Sequence, residues 1–224
     1  MLKVFLTVFL LVSITALLTA ADIPRPHGKG DRAAHDTFTP GTDRPFDTLM
    51  YDAVRIMHRD MGAVKKYGDP DLDFVSLMIP HHQGAVDMAR VVLLYGKDRE
   101  LGNLAQRIIA SQVTEIRIMK EWKARQTLAR QAVSGEAFYP LLEKAHAAMH
   151  RNMENAPRTG DPDHDFAVLM IPHHQGAVDM AKALLLHGKD PEMRTLAQQM
   201  ITEQQYEIDL MQSWLKTHQL PETK

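Results

Sequence analysis

The sequence predicts an all-α protein: a helical bundle made of two tandem three-helix repeats, about six long helices. Three observations predict it. Residues 57–122 align with residues 149–214 at a constant offset of 92 without a gap, and 38 of these 66 positions are identical. Apolar residues recur at helical spacing, as in Met50, Val54, Met57, Met61 and Val64. Almost no stretch alternates with the period of two that a half-buried strand needs. The segment MIPHHQGAVDMA recurs letter for letter, at Met78–Ala89 and at Met170–Ala181.

The chain begins with Lys3 and an apolar run of roughly fifteen residues that closes on Ala20 and Ala21, the pattern of a secretory signal peptide over residues 1–20. That run is short for a membrane anchor. Residues 21–42, rich in proline, glycine and charge, read as a flexible leader. The first repeat is expected over 43–132 and the second over 133–220. Without Lys3, 25 basic residues stand against 28 acidic ones, a formal charge of -3. Nothing in that balance points to nucleic acid or an anionic membrane as a partner. The expected location is therefore the periplasm or the extracellular space. There is no cysteine, so an exported chain must be held by packing alone, without disulfides. Zinc–thiolate and iron–sulfur sites are excluded for the same reason. Fourteen methionines and twelve histidines leave thioethers and imidazoles as the abundant soft donors.

Within each repeat the elements follow in order. The first helix is expected from about 43 to 66, and its counterpart from about 135 to 156. The motif GDPD then marks a helix start. Asp69 can cap, Pro70 suits the first turn, and Asp71 and Asp73 complement the helix dipole. The second helix runs to Tyr95 and stops at Gly96. Pro80 lies inside it, and because the apolar spacing continues past Pro80, a kinked but continuous helix is expected, with the Ser76 carbonyl freed. The third helix starts at Asp98 and passes Trp122. Its counterpart ends near Thr217.

At 100° per residue, His81 falls in the middle of the second helix's apolar stripe, with Met78, Ala85 and Met88 around it. His82 lies at the edge of the stripe. Ser76, Gln83, Asp87 and Arg90 fall on the opposite face and are expected to be polar and outward. Met57 and Met61 occupy the buried stripe of the first helix, flanked by His58. On the third helix Gln112 and Glu115 share a face with Met119 and Trp122. A carboxylate there needs a partner, because burying it alone is costly. The partner is His81, His82 or a metal. Gln204, Glu207, Met211 and Trp214 repeat the pattern. Methionine is often only adaptable core filler, and a His–Glu network can be purely architectural. Three helices converging on the same donors, twice over, favour a metal instead. Thioether with neutral imidazole suits Cu(I), or Ag(I) as its analogue.

HHQGAVDMA, preceded by a Met-His-x-x-Met helix and followed by Gln112, Glu115, Met119 and Trp122, resembles the domain-of-unknown-function 305 family. The resemblance covers most of the mature chain, in two copies. It implies a ferritin-like bundle in a bacterial secreted protein. A studied group of this family binds copper through methionine and histidine and serves copper resistance in the periplasm. Carried onto this chain, the resemblance points to Met57, His58, Met61, Met78, His81, His82, Met88 and Met119, and to Met149, His150, Met153, Met170, His173, His174, Met180 and Met211. Gln112, Glu115, Gln204 and Glu207 would orient the imidazoles.

The expected function is therefore copper buffering, trafficking or resistance without catalysis, with one inward site per repeat. A copper-exporting or copper-accepting protein would be the partner. Two alternatives stand beside it. One is an interaction protein with an architectural His–Glu network. The other is a di-iron or di-manganese oxidoreductase, which would need several inward carboxylates and paired Glu-x-x-His motifs. Glu143 to His146 is the only such motif in the chain. The second copy is richer in soft donors, with His146, His164, His187, Met193 and Met200 where the first has Val54, Leu72, Tyr95, Leu101 and Ile108. It is expected to bind more metal, or to bind it more tightly. Whether the repeats form one bundle or two is left open by the sequence.

Overall fold

A computed structural model describes residues 38–126 and 137–219. The signal peptide, most of the leader and the segment between the repeats lie outside the described residues. The described chain is six helices: α1 (Phe46–Gly62), α2 (Pro70–Tyr95), α3 (Arg99–Arg125), α4 (Phe138–Glu154), α5 (Pro162–His187) and α6 (Pro191–Thr217). Both first helices are shorter than their apolar spacing suggested. Among the described residues no helix is long and apolar enough to cross a membrane.

Every letter of GDPD has a task. Gly68 and Gly160 adopt φ of 84° and 79°, a left-handed turn that side chains disfavour. Asp69 caps α2 through the Leu72 N–H at 3.0 Å, and Asp161 caps α5 through the Asp163 and His164 N–H groups. Pro70 and Pro162 open the helices. Asp73 turns back to accept from the N–H groups of Tyr67 and Gly68, and Asp165 does the same for Thr159 and Gly160. Helix α2 is continuous through Pro80, and α5 is continuous through Pro172.

Asp71 and Asp163 do more than complement a dipole. Asp71 Oδ2 accepts from the N–H groups of Lys189 and Asp190, at 3.0 and 3.2 Å, in the turn between α5 and α6. Asp163 Oδ2 accepts from Lys97 and Asp98, at 2.7 and 3.0 Å, in the turn between α2 and α3. The start of each central helix is thus fastened to the end of the other. Helices α2 and α5 lie antiparallel, and the two repeats are related by a two-fold rotation.

The two repeats form one bundle, which settles the question the sequence left open. Each α2 or α5 packs against the other two helices of its own repeat and against its counterpart, and one apolar core runs through all six helices. This central position corrects the expected polar face. Ser76 and Asp87 are buried, at 4% exposure each, rather than outward. A helix enclosed on three sides has little outer face left, and the periodicity of one repeat contains no sign of the helix that the other repeat lays on it. Gln83 and Arg90 remain exposed, and both donate to Asp87 Oδ1.

Candidate metal centre

The ring centroids of His81 and His173 lie 3.8 Å apart, and those of His58 and His150 lie 4.2 Å apart. Each pair joins a residue to its own repeat counterpart. Equivalent residues can touch only where the symmetry axis passes between them. Four imidazoles therefore straddle the axis of the bundle, two from each repeat. The innermost histidines of both copies therefore meet, where the sequence offered one inward site per repeat.

Methionine joins them at the same place. His81 Nε2 lies 3.2 Å from Met149 Sδ, a contact from one repeat to the other. Met57 is the counterpart of Met149, and both pack onto glycines of the HHQG motif. A Cβ on Gly84 would lie 2.5 Å from Met57 Sδ, and one on Gly176 would lie 2.9 Å from Met149 Sδ. Glycine costs a helix interior stability, so each of these residues marks a close approach. That helix-interior glycine was the sequence signal that the motif presents a backbone surface as well as two imidazoles.

Three of the axial imidazoles, His58, His81 and His173, are held in the neutral form. Burial, reinforced by neighbouring histidines, holds His81 and His173 well below the usual histidine range. Burial and then His150 and His146 bring His58 down to about 4. His173 Nε2 donates to the His81 carbonyl at 3.1 Å, so its Nδ1 carries a lone pair. Among the described residues no group hydrogen-bonds to that Nδ1, to His81 Nδ1 or to His58 Nε2, although all three atoms are buried. Uncharged nitrogen lone pairs beside a thioether form a donor set suited to a soft monovalent cation, which needs no proton displaced.

His82 and His174 are not edge residues but are wholly buried. His82 Nε2 donates to Glu115 Oε2 at 2.8 Å, and His174 Nε2 donates to Glu207 Oε2 at the same distance. These pairs identify the partner that Glu115 required. Gln112 and Gln204 are buried one turn earlier on α3 and α6, and neither amide finds a partner among the described residues. Met78, Met88, Met119, Met170, Met180 and Met211 have no exposed surface and belong to the common apolar core. Met61 and Met153 are buried near the ends of α1 and α4. Among the described residues, no three His, Asp or Glu side chains gather to hold an ion. The two inward glutamates are paired with histidines rather than gathered in a carboxylate cluster.

Fold and centre together define a class: a two-repeat helical bundle whose repeats press neutral imidazoles and thioethers against each other on their common axis. The family model "Domain of unknown function (DUF305)" matches residues 71–215, and the chain belongs to that family. Solved structures of CopM are similar to it. The silver-bound form obtained by soaking is 32% identical with a TM-score of 0.53, covering 67% of this chain and 97% of that one. The apo form is 31% identical with a TM-score of 0.51, covering 67% and 98%. The Cu(I)-bound form is 33% identical with a TM-score of 0.50, covering 66% and 96%. No curated protein sequence matches the chain.

Proposed function

We propose that this is an exported copper-binding protein that holds Cu(I) on the axis between its repeats and buffers, carries or sequesters it without catalysis. The observation that carries the reading is the His81–Met149 contact at 3.2 Å beside the His81–His173 ring pair, whose centroids lie 3.8 Å apart. An imidazole and a thioether from different repeats stand there as neighbours in a buried, uncharged pocket. The likeness to CopM, solved with Ag and with Cu(I), supports the choice of metal. The ligand set is His81, His173 and Met149, with Met57, His58 and His150 along the same axis. His82–Glu115 and His174–Glu207 act from behind it, fixing the two central helices against α3 and α6. The signal sequence over residues 1–20 supports export to the periplasm or beyond, where a copper-exporting or copper-accepting protein would be the partner.

Titrating the metal-free mature protein with Cu(I) against a competing chelator tests the proposal. Withdrawal of copper from the chelator at micromolar protein is the expected result. Copper left with the chelator contradicts it. The architectural alternative rests on the two His–Glu contacts, and those contacts do not use the axial lone pairs.

A further inference from the structure

The two-fold symmetry is broken at one place that the axial site does not use. A cleft of about 200 Å³ opens between α1 and α4, lined by Met61, Leu77, Tyr139, Leu142 and His146. His146 is a feature of the second repeat alone, since its counterpart in the first is Val54. Its Nε2 is buried and has no hydrogen-bond partner among the described residues. Burial holds this imidazole below its ordinary pKa, so its lone pairs are not masked by a proton at neutral pH. Its ring stands 6.5 Å from that of His150, which stacks on His58. The cleft therefore leads from His146 to the stacked His150–His58 pair on the axis.

The symmetry-related side is built differently. There Val54 replaces the imidazole, Tyr51 takes the place of Glu143, and the Arg158 guanidinium lies 3.8 Å over the Tyr51 ring. A cation and an aromatic ring occupy that flank. On the cleft side the corresponding cation, Lys66, is paired with Glu143 at 2.7 Å and lies farther from its ring, 5.3 Å from the centroid of Tyr139.

We infer that His146 and Met61 form a second soft-metal site, in the cleft, through which Cu(I) reaches and leaves the axial imidazoles on one face of the molecule only. The inference rests on the proposed copper function. The step is a ligand exchange. The ion stays Cu(I), one imidazole nitrogen or thioether sulfur replaces another, and no electron or proton is transferred.

Two variants of the mature protein test it: His146→Val, which installs the residue the other repeat carries, and Met61→Leu, which keeps the volume. Ag(I), a redox-silent probe, is titrated while histidine ring and methionine methyl resonances are followed by NMR. Extraction of bound Cu(I) by a chelator is timed by stopped flow. The wild type should show shifts at Met61 and His146 in addition to those at His81 and His173. Either variant should abolish the cleft shifts and slow extraction roughly tenfold, with little change in the equilibrium affinity of the axial ion. Axial shifts without cleft shifts, or extraction as fast in both variants as in the wild type, would overturn the cleft site and leave the axial one standing. Absence of any imidazole shift at saturating Ag(I) would overturn both.

Discussion

Gly84 carries more of this site than its missing side chain suggests. A methyl group there would sit 2.5 to 2.8 Å from three atoms of Met57, one of them the stiffly placed Cβ. Gly84→Ala should therefore destabilise by roughly 1–3 kcal/mol through overpacking, although alanine is the better helix former. Gly102, in α3, faces open space, and Gly102→Ala should be neutral or stabilising by up to about 1 kcal/mol. Chemical denaturation of the two variants checks the contrast, and equal effects would mean that Met57 is not seated on the motif. Protonation acts on the same residues. His58 titrates near 4 in the fold and near its ordinary 6.5 in the unfolded chain. Between those values the unfolded state binds more protons, so stability falls as pH drops from about 6.5 towards 4. His81, His146 and His173 shift in the same direction. Asp87 acts oppositely. Burial raises it to about 6, so its contribution is present below 3.8 and lost as pH rises through 6. The denaturation midpoint should fall between pH 7 and pH 4.5 because the imidazoles outnumber it, whereas Asp87→Asn should raise stability at pH 8 by roughly 1 kcal/mol. A midpoint that is flat over the acid range would contradict the assignment of neutral axial histidines.

The individual helices were largely legible in the sequence, and their surroundings were not. The GDPD starts, the stop at Gly96, the passage through Pro80 and the inward placement of Met57, His81 and Glu115 all follow from local chemistry. The burial of Ser76 and Asp87 does not, because it depends on α1, α3 and α5 closing around α2. The Asp71 and Asp163 fastenings were equally hidden, since their acceptor oxygens reach turns more than sixty residues away. Each carboxylate holds two backbone N–H groups across the repeats. Asp163→Ala should cost roughly 2–4 kcal/mol, because two N–H donors to a charged acceptor lose it together. Asp161→Ala, which removes only a cap, should cost about 1 kcal/mol. Thermal unfolding of the two variants compares them directly. A larger loss for Asp161→Ala would mean that the cross-repeat contacts contribute little.

On the scale of the whole molecule, the repeats behave as two halves of an intramolecular dimer. Gapless duplication made both halves visible in the sequence. It could not show that equivalent histidines would meet on the axis, because sequence similarity says nothing about how two copies pack. Under the proposed axial site, the extra donors of the second repeat matter as breaks in the symmetry, His146 above all. An isolated first repeat should associate into a homodimer through α2, because the surface that α5 covers would otherwise be exposed. Sedimentation of a fragment spanning residues 43–132 would show it, and a stable monomer would argue against a common core.

The claim that one copper ion is shared by both repeats is tested most directly by Cu(I) competition titration of His81→Leu and His173→Leu beside the wild type. Each substitution should weaken the same tightest-bound ion by roughly ten- to a hundredfold. If each variant instead loses one of two ions, and keeps the other at wild-type affinity, the repeats bind copper separately and the axial site is contradicted.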